Sequence, residues 1–156
     1  MPSRAPKKIE CIARALAVRD GRILLCRNIE HDLAYLPGGH VDPGETAAEA
    51  LAREFIEECG LRVDVGPFLL ANEHLFTQLG KPRHEWNAVF HVEHSGGAWP
   101  ETITSLEAEL AFEWCEVASL PEANFVPAPL LAWLLAGGPD AVADPSDMWV
   151  SHREPE

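Results

Sequence analysis

The 156 residues carry 47% hydrophobic and 24% charged side chains, a globular composition that excludes wholesale disorder and a fibrous or collagen-like chain. The length fits one compact domain, taken here as residues 1–156, and excludes a second large one. Against 12 Lys and Arg stand 25 Asp and Glu, a formal charge of -13 that repels nucleic-acid duplexes and anionic membranes.

Residues 9–18 are apolar and strand-like, Asp20-Gly21 is a hairpin turn signal, and residues 23–26 give a second strand, so the chain is expected to open with a β-hairpin. A polar loop spans residues 28–35. Leu36-Pro37-Gly38-Gly39 and Asp42-Pro43-Gly44 form two turn clusters that keep the backbone irregular ahead of a helix. That helix starts after Thr46, which caps its first turn while Glu49 completes a capping box, and it ends at Gly60, a residue suited to a left-handed C-terminus. Strands follow over 61–78 and 85–94 around a turn at Gly80-Lys81-Pro82, then a loop over 95–100 and a strand over 112–117. Residues 129–136 predict a short helix stopped by Gly137-Gly138, and from about residue 138 three prolines and five acids predict an irregular tail. Strands on both sides of one central helix, with a second helix near the end, predict an α/β fold with a mixed sheet covered by helices.

Charge is uneven along this order: residues 1–30 sum to +4, residues 31–97 to -7 and residues 98–156 to -10, the last block reading mostly as solvated surface. Cys11, Cys26, Cys59 and Cys115 form no CxxC pair and read as small buried hydrophobes. The longest apolar run, residues 130–136, is far shorter than the ~20 residues of a membrane span. A cytoplasmic protein with reduced thiols and no membrane partner is expected. Trp133 and the leucines of the last helix are expected in the core, with a homodimer interface as the alternative.

On the central helix Ala48, Leu51, Ala52, Phe55, Ile56 and Cys59 form one apolar stripe. Glu54, Glu57 and Glu58 share a patch on roughly the opposite side, because positions i, i+3 and i+4 are neighbours. A solvated polar face accounts for this poorly: Glu54 and Glu58 repel each other, and the helix dipole disfavours negative charge in the last turn. Three clustered carboxylates suit a hard divalent cation, with Mg²⁺ the natural candidate and Mn²⁺ a substitute.

Read together, Gly39-x5-Glu45-x7-Arg53-Glu54-Phe55-x-Glu57-Glu58-x-Gly60-Leu61 resembles the Nudix box, the 23-residue signature of the Nudix hydrolases. Its one departure is Phe55, which stands where the family has an aliphatic residue. The resemblance implies an α/β/α sandwich whose loop and helix form a catalytic metal platform. It implies that Glu54, Glu57 and Glu58 bind divalent ions, with the Gly39 carbonyl as a further ligand and Arg53 and Glu45 mainly structural. Glu49 and Arg53 also stand in the favourable i, i+4 order. A loop glutamate is expected to join the metal set: Glu109 first, with Glu107 and Glu113 as rivals. The implied reaction is hydrolysis of a nucleoside diphosphate linked to another group, with Glu57 or Glu54 ahead of the loop acids as general base.

Substrate identity must be read elsewhere. Arg14, Arg27, Lys81 and Arg83 are candidate phosphate contacts, and Tyr35, Phe76, Trp86 and Trp99 are candidate stacking partners for a base, although strand arginines are usually surface and strand tryptophans usually core. His40 and the His84-Glu85 pair are further candidates. Family subgroups acting on ADP-ribose or dinucleoside polyphosphates carry a marker proline or tyrosine past the box, and Leu75-Phe76-Thr77-Gln78 holds neither. Elimination leaves a nucleoside or deoxynucleoside triphosphate, a damaged one included. A non-catalytic nucleotide sensor is the other class of answer, and retention of every box acid argues for the enzyme.

Overall fold

The computed structural model describes residues 5–141 and 144–155. Chain order is β1 (Glu10–Leu16), β2 (Val18–Arg19), β3 (Arg22–Asn28), β4 (Leu33–Tyr35), β5 (Gly38–His40), α1 (Ala47–Cys59), β6 (Val63–Gln78), β7 (Lys81–His94), β8 (Leu110–Glu116), α2 (Ala128–Leu135) and β9 (Trp149–Arg153). The larger sheet runs β5-β1-β7-β6-β9 and is mixed: β1 and β7 are parallel, as are β6 and β9, while β5 against β1 and β6 against β7 are antiparallel. In the smaller sheet β3 is central, with β8 along one edge and the short β2 and β4 along the other.

Strand alternation divides the apolar residues between two layers. Ala13, Ala15, Leu24 and Val92 pack with Leu51, Phe55 and Cys59 of α1, and the ring of Trp99 closes that cluster. Leu16, Ile23, Leu25, Leu70 and Val89 point the other way and pack with Leu130, Trp133 and Leu134 of α2. Helices therefore cover opposite sides, giving the α/β/α sandwich that the box implied. Trp133 is 8% exposed and belongs to this core. Among the described residues no helix is long and apolar enough to cross a membrane.

The ends of α1 form as the sequence predicts. Thr46 Oγ1 accepts the Glu49 N–H at 3.1 Å, Glu49 Oε2 accepts the Thr46 N–H at 2.7 Å, and Gly60 takes φ +70°. Because Glu49 is used in this box, it does not pair with Arg53 as its i, i+4 spacing suggested. The apolar stripe is narrower than predicted: Ile56 is 44% exposed, and Ala50 is buried in its place.

Several other expectations are corrected. The opening hairpin shrinks to Val18–Arg19 against Arg22–Ile23, because β1 leaves for the larger sheet, where β5 and β7 offer it two full ladders. The polar loop contains β4, and the first glycine cluster is an edge strand, with Gly38 and Gly39 paired to Arg14 and Ala13. The β6–β7 turn is only Leu79-Gly80, both at positive φ, so Lys81 and Pro82 belong to β7. The irregular tail contains β9, which pairs with Ala71 to Leu75 of β6; an exposed ladder edge overrides weak local propensity. Residues 142, 143 and 156 of that tail lie outside the described residues. All four cysteines are free, but only Cys26 and Cys59 are buried; Cys11 faces solvent and Cys115 is half-buried.

Candidate active site

The edge strand β5 lies against α1, and Gly39 marks the closest approach. A Cβ at Gly39 would lie 2.4 Å from the Glu54 carboxyl group, so only glycine leaves this space free. Arg53 fixes the surrounding carboxylates. Its Nη2 and Nε donate to the two oxygens of Glu45 at 2.6 and 3.1 Å, and its Nη1 donates to Glu54 Oε1 at 3.0 Å and Glu57 Oε2 at 3.2 Å. Its Nη2 also donates to the His40 carbonyl at 3.0 Å, tying helix to strand. The Glu45 bond first, with Glu54 and the Coulombic attraction of both acids, raises the Arg53 pKa further, so this residue is a permanent cation that braces acids.

Arg53 does not neutralise the whole cluster. The Glu58 carboxyl is pushed up to about 8, first by burial and then by the charge and hydrogen bond of Glu54. Glu107 is also raised, by burial and then by Glu109, Glu54 and Glu57. Burial and mutual repulsion at this place would be relieved by a compensating cation. The three helix acids do not yet converge on one point, since Arg53 draws Glu54 and Glu57 toward itself. It binds one oxygen of each and leaves the other. An all-oxygen donor set beside a backbone with no side chain fits a hard divalent ion.

The loop acids separate clearly. Backbone contact of Leu106 N–H to the Glu58 carbonyl, 2.7 Å, docks the loop on the helix, and Ser105 Oγ accepts the Glu107 N–H at 3.1 Å. Glu107 is half-buried and comes under the charges of Glu109, Glu54 and Glu57, while Glu109, the first expectation, is exposed beside it. Glu113 is spent on Arg27, with Oε1 2.6 Å from Nη2. Glu107 and Glu109 thus sit on the loop docked against α1, whereas Glu113 lies within β8.

The substrate candidates scatter. Arg14 donates Nε to Asn87 Oδ1 at 3.3 Å and Nη1 to the Leu36 carbonyl at 3.1 Å, and its guanidinium lies 5.0 Å from the Tyr35 ring centroid. Its charge acts on Glu58 against the acids that raise that carboxyl. His40 and Arg83 meet instead on Glu10, a buried acid that sequence reading passed over: His40 Nε2 is 2.9 Å from Oε1 and Arg83 Nη2 is 2.8 Å from Oε2. Arg27 is held by Glu113 and Asp32. Trp86 donates Nε1 to Glu73 and meets Trp149 edge to face at 5.5 Å, with no contact to the box among the described residues. Trp99 is core, Phe76 stacks on His74 at 4.6 Å, and His84 bonds Glu73, so none of these joins the cluster.

The fold agrees with the comparisons. The NUDIX domain model matches residues 11–134, and the chain belongs to the Nudix hydrolase family. It is 34% identical over 115 residues to CTP pyrophosphohydrolase of Escherichia coli K12, covering 67% of this chain and 84% of that one. Over 63 residues it is 43% identical to a putative 8-oxo-dGTP diphosphatase of Bacillus subtilis 168, covering 35% and 42% of the two chains. The solution structure of the E. coli ORF135 protein superposes with a TM-score of 0.64 at 29% identity, over 90% of this chain and 96% of that one. With every acid of the box retained, the protein is an enzyme of that family.

Proposed function

We propose that this protein is a divalent-metal-dependent pyrophosphohydrolase of nucleoside triphosphates, damaged deoxynucleotides included, releasing a nucleoside monophosphate and pyrophosphate. The observation that carries the reading is the crowding of Glu57, Glu58 and Glu107 with Glu54, whose carboxyl lies against Gly39. Similarity to CTP pyrophosphohydrolase over two thirds of the chain supports the triphosphate over other nucleoside diphosphate derivatives.

Glu54, Glu57 and Glu58, together with the Gly39 carbonyl and Glu107, would hold Mg²⁺ or Mn²⁺, with Glu109 behind Glu107. When bound, a divalent ion screens the diphosphate oxygens and lowers the pKa of a water. The chain's own work is positioning. Arg53 sets the carboxylates, and the bare backbone at Gly39 leaves room for the Glu54 carboxyl beside it. Glu57, 52% exposed and bound to Arg53 through one oxygen, takes a proton from the attacking water through the other. The water oxygen bonds to phosphorus, the bridging P–O bond breaks, and its electron pair leaves on the departing phosphate group. Arg14 reaches the substrate from the sheet.

The test is incubation with Mg²⁺ and CTP, dCTP, the other triphosphates, 8-oxo-dGTP, ADP-ribose and diadenosine polyphosphates, with products separated by ion exchange. A monophosphate plus pyrophosphate from one or more triphosphates is expected. Turnover of only ADP-ribose or dinucleotides, or of nothing with either metal, overturns the reading.

A further inference from the structure

The larger sheet ends on β9, and that edge is open. The strand is last in the order β5-β1-β7-β6-β9 and lies outside residues 11–134, the stretch that matches the family model. Glu154 N–H donates to the Leu75 carbonyl at 2.9 Å, and the Val150 carbonyl accepts from Asn72 Nδ2 at 3.2 Å. Backbone direction alternates along a strand, so Val150, His152 and Glu154 turn their N–H and C=O groups toward β6. Trp149, Ser151 and Arg153 turn theirs away, and among the described residues no backbone bond outside the β6 ladder takes them. The strand has no proline, glycine or register shift to blunt it. Such an edge is a template for another chain.

The strand is complementary to itself run antiparallel. With Ser151 opposite the partner's Ser151, Trp149 faces the partner's Arg153, and each of these pairs can exchange both backbone hydrogen bonds. Centring on Val150 or His152 instead would leave Arg153 or Trp149 beyond the partner strand. Charge selects the same edge. A chain of formal charge -13 repels its own copy over most of its surface, yet residues 149–153 hold one Arg and no Asp or Glu. The flanking acids are kept apart in this register, Asp147 opposite the partner's Pro155 and Glu154 opposite the partner's Met148. Glu73, the acid beside Ser151 on β6, is already engaged by Ser151 Oγ, Trp86 Nε1 and His84. Trp149 and Arg153 point to one sheet face, so the 47% exposed indole can meet the partner's guanidinium in a cation–π contact.

We propose that β9 is a homodimer interface: it pairs antiparallel with β9 of a second copy about a two-fold axis at Ser151, so that the two larger sheets run on as one. A five-residue strand buries less than a standard interface, so the dimer is reversible and concentration-dependent. The carboxylate cluster lies beside β5, at the opposite edge of the sheet, and stays open in the pair.

Sedimentation velocity from micromolar to near-millimolar protein is expected to show a monomer–dimer equilibrium. Ser151→Pro tests the ladder, because it removes an outward N–H that β6 does not use, a position where edge strands tolerate proline. Its dissociation constant should rise about tenfold or more, since both hydrogen bonds at the axis are lost. Ser151→Ala, which gives up only the hydroxyl bond to Glu73, should dimerise like the parent protein. Hydrogen exchange on the parent protein needs no variant: the amides of Trp149, Ser151 and Arg153 should gain protection as concentration rises, while those of His152 and Glu154 are protected throughout. A monomer at every concentration leaves the edge to some other chain and overturns the proposal. So does a dimer of unchanged affinity in folded Ser151→Pro, or a concentration-dependent protection that lacks this alternation.

Discussion

At the scale of single residues, the site depends on one missing side chain and one shared cation. Gly39→Ala would place a methyl group 2.4 Å from the Glu54 carboxyl, so Glu54 must move. Since displacing a reacting group by about 1 Å costs roughly 100-fold, kcat should fall about that much while thermal unfolding changes little. Steady-state kinetics and a melting curve on the same variant check both halves. Glu57→Gln removes a charge and a proton acceptor but keeps size and the Arg53 contact. Turnover should drop by about 100-fold to 10,000-fold with circular dichroism unchanged, and near-normal activity would refute the role given to Glu57.

At the scale of elements, α1 and β9 are stabilised by different physics. The α1 N-terminus is closed by a reciprocal pair of side-chain bonds, so Thr46→Ala should cost ~1 kcal/mol in denaturant unfolding, without changing the metal requirement. Strand β9 docks on β6 with His152 opposite His74, rings stacked at 5.3 Å. Burial holds the His74 pKa below its ordinary value; Glu154, at 3.8 Å, opposes that effect and the charge of His152 adds to it, while Glu85 faces His74 from β7. The folded state then binds fewer protons here than the unfolded chain, so stability falls as pH drops below about 6.5 and levels off below the folded pKa. Melting temperature between pH 7.5 and 5 should decline less steeply in His74→Gln than in the parent protein.

At the scale of the molecule, a formal charge of -13 means that the folded chain repels itself, most sharply where the helix acids and Glu107 meet. A divalent ion bound there stabilises the fold by mass action, ~2.7 kcal/mol at 100 times its dissociation constant. Mg²⁺ should therefore raise the melting temperature more than NaCl at equal ionic strength, and the excess should vanish in Glu57→Gln and on adding EDTA. A rise that matched NaCl throughout would show only general screening.

The sequence alone determined what depends on local spacing. Helix periodicity grouped Glu54, Glu57 and Glu58, the Thr46–Glu49 box and Gly60 bounded α1, and alternation marked β6, β7 and β8, because i, i+3, i+4 and i+2 relations hold wherever a segment lies. Tertiary structure decided what depends on partners far along the chain. Glu10 meets both His40 and Arg83, Glu107 comes under the charge of the helix acids, Arg27 is held by Glu113, and β9 forms because β6 offered it an edge. Those contacts join residues separated by tens of positions, and the energy that selects them resides in ladders, burial and charge pairing that exist only once the chain has folded.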